Sequence, residues 1–211
     1  MESRFNRDIK VESEISEYLD NNFYSNAVVG FKRYHDEASQ NQGIDVHFEW
    51  PSLGKILVDE KSNSSPKYIN EFIPTFAFEI QNTRSGNIGW LIDDKKLTEY
   101  YLLIYVWARY PESVPISVEK LHCILVSRKS IRDYLESNNF SDKELLAKCD
   151  MAKNQNLSGK IPGPSNDFYF FYTPWLQEQP FNIIIRRNIL SNLSIAEFEI
   201  DNGQTNKLKG F

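Results

Sequence analysis

Cysteine is scarce in this chain, and the two present, Cys123 and Cys149, stand 26 positions apart. No CxxC pair and no neighbouring histidine accompanies them, so neither a zinc site nor a disulfide framework is expected. That usage predicts a reducing, cytoplasmic compartment. Only three histidines occur, His35, His47 and His122, and they form no ligand set. The nine glycines make no phosphate-cradling loop, and no Ser–His–Asp arrangement points to acyl transfer. The opening residues, MESRFNRDIK, lack the apolar stretch of a secretion signal. The most apolar run, Tyr100 to Ala108 (YYLLIYVWA), is too short to span a bilayer; it predicts a buried helix and no membrane partner. A surplus of positive charge is missing too. With 24 Lys and Arg against 29 Asp and Glu, the net charge of -5 argues against a protein that coats nucleic acid through a broad basic surface. It leaves room for a carboxylate site whose charge a bound cation offsets.

What is present suits a globular domain. Hydrophobic residues make up 41% and aromatic residues 14%, enough to fill a sizeable core in 211 residues. One domain over residues 1–211 is expected. From Arg7 to Asn22, Val11, Ile15, Tyr18 and Leu19 recur at helical spacing, which predicts an amphipathic helix. Ala27 to Tyr34 reads as a strand and His35 to Gly43 as a polar loop. Ile44 to Glu49 and Lys55 to Lys61, joined through Trp50 to Gly54, read as an antiparallel hairpin. Phe76 to Gln81 is a further strand, Ser85 to Gly89 a loop, and Leu97 to Arg109 the buried helix. Beyond it come a strand over Leu121 to Ser127, helices near Lys129 to Asn138 and Ser141 to Cys149, and strands over Asp167 to Tyr172 and Phe181 to Arg187. Interleaved helices and strands predict an α/β or α+β domain with a mixed central sheet flanked by helices.

Strand alternation selects the chemistry. Residues two apart share a face, so LVDEK puts Asp59 and Lys61 on one side and Glu60 on the other. On the preceding hairpin strand Asp45 shares a face with His47, and hairpin pairing brings Asp45 beside Asp59. Hard cations such as Mg²⁺ or Mn²⁺ take oxygen ligands, and one or two carboxylates suffice beside water and phosphate oxygens. The backbone carbonyl of Glu60 is a further candidate ligand. Such a metal polarises a phosphate and lowers the pKa of a bound water. A neighbouring ammonium, here Lys61, orients that water and stabilises charge building on the phosphorane.

Asp45 followed after thirteen residues by Asp59-Glu60-Lys61 resembles the PD-(D/E)XK, or restriction-endonuclease-like, nucleases. Their pattern is an acidic residue on one strand and a D/E-X-K triplet on the next, after an N-terminal helix. The order of elements here is the same over about residues 7 to 110, with a C-terminal α/β extension. Ile44 stands where that family usually has proline. The resemblance implies a restriction-endonuclease-like core and a Mg²⁺-dependent endonuclease acting on nucleic acid, DNA first. It also implies homodimerisation wherever both strands of a duplex are cut. The family often adds an acidic residue from the first helix, for which Glu14 is favoured over the opposite-facing Glu17, and a polar residue from the strand after the triplet, for which Gln81 is favoured over Glu79.

Other residues carry blander readings. Asp36, Gln40 and Gln42 lie in a loop before Asp45, and Arg84 precedes SGNIG; each can line a cleft or merely form a turn. Arg128, Lys129 and Arg132, with Arg186 and Arg187, are the best local candidates for phosphate contacts, although charge clusters are more often solvated faces. Two rival readings stand beside the nuclease. One is a non-catalytic nucleic-acid- or protein-binding module on a nuclease-like fold. The other is an interaction protein whose aromatic C-terminal half (DFYFFYTPW) forms a partner surface.

Overall fold

A computed structural model describes residues 4–112 and 115–210, with side chains from residue 7 on. They form two compact units interleaved along the chain. The first takes described residues within 4–73, 98–126 and 194–210, and the second takes Pro74–Leu97 and Ser127–Leu193. The expected core at residues 7 to 110 is therefore interrupted by the stretch from Pro74 to Leu97. No helix among the described residues is long and apolar enough to cross a membrane.

The first unit grows from α1 (Arg4–Leu19), which continues through a π-helical turn, Asp20–Tyr24, into the short α2 (Ser25–Ala27). Val11, Ile15, Leu19 and Phe23 recur every four residues and are all buried. That stripe lies in one apolar cluster with Val46, Phe48, Ile56, Val58, Leu102 and Ile104 of the sheet. Each such side chain removed from water contributes about 1.5–3 kcal/mol.

The sheet beneath the helix has seven strands among the described residues, in the order β1-β2-β3-β5-β6-β10-β11. They are β1 (Val29–Arg33), β2 (Val46–Trp50), β3 (Gly54–Ser62), β5 (Tyr100–Arg109), β6 (Ser117–Ser127), β10 (Ser194–Asp201) and β11 (Gln204–Lys209). β4 (Thr75–Asn82) lies between β3 and β5 in the chain but belongs to the second unit. β3 and β5 run parallel and β2 and β3 antiparallel, so the sheet is mixed and the architecture is α+β. The hairpin joining β2 to β3 has the expected pairing.

Two expectations fail here. Leu97 to Arg109 is not a helix: from Tyr100 it is the strand β5, paired with β3 from Val58↔Tyr100 to Ser62↔Ile104. Leu102, Ile104, Val106 and Ala108 join the core under α1, while Tyr101, Leu103 and Tyr105 are buried on the opposite face. A strand covered on both faces shows no apolar–polar alternation, so periodicity cannot separate it from a buried helix. Its β-branched and aromatic content was the better guide. The polar loop His35 to Gly43 also contains a helix, α3 (Glu37–Asn41). Asp36 caps it by accepting from the Ser39 amide at 2.8 Å, which satisfies an otherwise orphaned donor.

The second unit holds an antiparallel sheet in the order β4-β9-β8-β7, with β7 (Gly159–Pro162), β8 (Phe168–Tyr172) and β9 (Pro180–Arg186). The Phe76 to Gln81 strand thus belongs to a separate sheet. Phe76, Phe78, Phe168, Phe170, Phe181, Ile183 and Ile185 are buried along it. Helices α4 (Arg128–Ser137), α5 (Asp142–Asn154) and α6 (Arg187–Leu193) complete the unit. A Cβ on Gly89 would lie 2.3 Å from the Glu79 carbonyl oxygen, so the SGNIG loop needs glycine where it crosses β4.

Candidate functional site

The β2–β3 ladder ends on the pair Val46↔Val58, one residue short of both aspartates. Asp45 continues the line of β2. Its amide donates to the Val58 carbonyl at 3.0 Å, and its carbonyl accepts from the Tyr34 amide at 2.8 Å. Held from both sides, Asp45 places its carboxylate so that Oδ2 accepts from the Glu60 amide at 2.8 Å. Asp59 is buried, 3% exposed, and Lys61 Nζ lies 2.6 Å from its Oδ1. The three residues that alternation selected therefore converge at one end of the hairpin.

Their charges are coupled. Burial pushes the Asp45 carboxyl up to about 6; the negative charge of Asp59 and a hydrogen bond between the two carboxyls add to this, while Lys61 opposes it. Burial alone would lower Lys61, but the Asp59 and Asp45 charges outweigh it and raise the ammonium above its ordinary value. Two crowded carboxylates beside one cation form a site in which a proton, a lysine or a metal can balance the charge.

A cleft of about 660 Å³ opens beside these residues within the first unit. Asp45, Glu60 and Lys61 line it from the sheet, Arg33 and Tyr34 from β1 and its end, and Glu12 and Ser16 from α1; Asp59 is not among the lining residues. Loss of solvent raises the Glu12 carboxyl, Lys61 opposes that, and Asp8 and Asp45 add to it. Glu12 is the acidic residue that α1 presents to the cleft. Glu14 is not among the lining residues. At about 100° of rotation per residue, Glu12 and Ser16 fall on one flank of the Val11–Ile15–Leu19 stripe and Glu14 on the other.

Glu60 plays a part that the sequence reading missed. Its side chain lies on the α1 side of the sheet and is nearly buried, 7% exposed. It accepts from Arg33 at 2.8 and 3.0 Å, from the Tyr24 hydroxyl at 2.7 Å and from the Ser16 hydroxyl at 3.2 Å. Arg33 also grips Asp20 through Nε and Nη2, at 2.6 to 3.0 Å. Glu12, Ser16, Asp20 and Tyr24 are spaced four apart, a polar stripe beside the apolar one. That spacing was the signal available for these residues.

Gln81 lies on β4 in the second unit. It accepts from the Cys149 thiol at 3.2 Å and donates to the Gly86 carbonyl at 3.3 Å. The structure does not bring it into the cleft's lining. Among the basic residues, Arg128 is buried and donates to the carbonyls of Leu91, Lys96 and Asp93 at 2.8, 3.1 and 2.7 Å. It therefore ties down a loop and is not displayed to a phosphate. Lys129 pairs with Asp133, and Arg132 with Asp94 and Asp142. His122 is held between Glu197 at 2.7 Å and Glu199 at 3.3 Å, and His47 accepts or donates at 2.8 Å to the Tyr34 hydroxyl.

Among the described residues, no group of three or more His, Cys, Asp or Glu is arranged to hold a metal ion. Asp45 lines the cleft, and Asp59 lies buried behind it with Lys61, so the pair places two carboxylates, the ligand type of a hard cation, side by side with one of them at the cleft wall. No family model, curated protein or solved structure matches this chain.

Proposed function

We propose that the first unit is a Mg²⁺-dependent phosphodiesterase acting on nucleic acid, with DNA the expected substrate. The observation that carries this reading is the placement of Asp45 beside Asp59 at the end of the β2–β3 ladder, with Lys61 2.6 Å from Asp59. In the reaction a water oxygen bonds to phosphorus, the P–O bond to the leaving nucleotide breaks, and the departing oxygen takes up a proton. A bound Mg²⁺ or Mn²⁺ would supply Lewis-acid polarisation of the phosphate and a more acidic water. Asp45 and Asp59 would hold that cation. Lys61 orients the attacking water and offsets the charge that grows on the phosphate oxygens. The cleft lined by Tyr34, His35 and Glu12 beside Asp45 is where the substrate would approach.

Cleavage of labelled DNA in Mg²⁺ is the test. Asp59→Ala and Lys61→Ala should each abolish it while leaving the circular dichroism spectrum unchanged. Activity surviving both changes would remove the proposal.

A second reading is a binding module without catalysis, and the close Asp59–Lys61 pair favours it, since each group already neutralises the other. Thermal melts with increasing Mg²⁺ or Mn²⁺ separate the two. A metal site predicts a rising melting temperature, whereas a closed ion pair predicts none.

A further inference from the structure

β3 changes character at residue 60. Up to Val58 its α1 face is apolar, with Ile56 and Val58 buried in the core. At the next position on that face stands a carboxylate, and the antiparallel ladder to β2 has already ended at Val58. From Asp59 to Ser62 the regular main-chain pairing is to β5. The Glu60 amide, on the side where β2 has stopped, donates to the Asp45 carboxylate at 2.8 Å. The Glu60 side chain is held on the α1 face by Arg33, Tyr24 and Ser16.

We propose that Glu60, clamped by Arg33, is the positioning residue of the site: it sets the rotation of β3 and so aims Asp59 and Lys61 at Asp45. A leucine at this position would continue the apolar face at lower desolvation cost, since buried ion pairs add little stability over well-packed apolar groups. What the ion pair adds is direction. The Arg33 guanidinium is planar and forked; it meets Glu60 through two nitrogens and is anchored on Asp20 through Nε and Nη2. Arg33 is 11% exposed and Glu60 7%, so water screens the pair little. Residue 60 is then fixed by its side chain on one face of the sheet and by its amide at the edge β2 leaves open. Since neighbouring side chains on a strand point to opposite faces, fixing Glu60 also fixes Asp59 and Lys61. Glu60 also lines the cleft, but its carboxylate oxygens are committed to Arg33, Tyr24 and Ser16, so its part in the proposal is to act through its neighbours.

The functional consequence rests on the metal-site reading above, whereas the geometric claim does not, and two measurements keep them apart. The first uses amide hydrogen exchange in the metal-free protein. Glu60→Gln keeps the side-chain shape but weakens the Arg33 clamp, and the residue-60 amide should exchange about ten-fold faster or more. Ile56→Val, a stability control on the same face of β3, should leave that amide as protected as in the wild type. Unchanged protection in Glu60→Gln, or equal loss in Ile56→Val, overturns the proposal. The second measurement is the Mg²⁺ concentration giving half the thermal stabilisation, with Mg²⁺ alone as the probe. It should rise about 10- to 100-fold in Glu60→Gln, the usual effect of losing a group that orients a ligand, less in Arg33→Lys, and not in Ile56→Val. A wild-type protein that does not respond to Mg²⁺ would sink the nuclease reading, and amide exchange would still decide the positioning role.

Discussion

At Asp45 burial, the neighbouring Asp59 charge and the Lys61 ammonium compete to set the charge of one carboxyl, and the first two prevail. The folded protein keeps a proton there up to about pH 6, whereas an unfolded chain releases it in the ordinary carboxyl range. Folded Asp45 thus binds the proton more tightly, so this group's contribution to metal-free stability falls as pH rises through that window. Asp45→Asn removes the conflict and should stabilise the metal-free protein near neutral pH by on the order of 2 kcal/mol. Urea unfolding on both sides of the window checks this, and equal stabilities at every pH would refute it. A cation held as proposed above would have to displace the same proton. Half-saturating Mg²⁺ should therefore rise about ten-fold for each pH unit below about 6, as read by thermal melts. The pairing of Asp59 with Lys61 was legible from alternation, and the place of Asp45 beside Asp59 from the hairpin. Glu12 was not, because choosing between the flanks of α1 requires knowing which flank faces the cleft.

The first helix and the β2–β3 hairpin were legible as elements because each announces a period, close to four residues in α1 and two in the strands. Leu19→Ala, in the buried stripe of α1, should cost about 2–5 kcal/mol in urea unfolding. Glu14→Ala, away from the cleft lining, should stay within about 0.5 kcal/mol and leave any Mg²⁺ response intact. A lost response there would restore Glu14 to the site. β5 shows no such period, because its side chains are buried on both faces. In the second unit Arg128 anchors the turn from Leu91 to Lys96 through three carbonyls. Arg128→Ala leaves those acceptors without their donor and should cost about 1–3 kcal/mol in urea unfolding, a value well below that range contradicting the structural role.

For the molecule as a whole, the net charge of -5 and the engagement of Arg33 and Lys61 by carboxylates limit what the protein can offer a phosphate backbone. Under the proposed nuclease function, binding to DNA should depend only shallowly on salt, with a log–log slope of about -1 to -3. A slope of about -6 or steeper would reveal a basic surface that the cleft does not provide. Fluorescence anisotropy with Asp59→Ala measures it directly.

Composition and pattern alone determined that this chain mixes helices with strands in a layered fold, that an amphipathic helix precedes a hairpin, and that Asp59 shares a face with Lys61. These follow from local rules, because side-chain direction repeats with the backbone period. The ending of the β2–β3 ladder before Asp45, the passage of Pro74–Leu97 into another unit, and the burial of Glu60 against Arg33 were decided only in the tertiary structure. Each depends on partners tens of residues away, and a local period carries no information about which distant group will meet it.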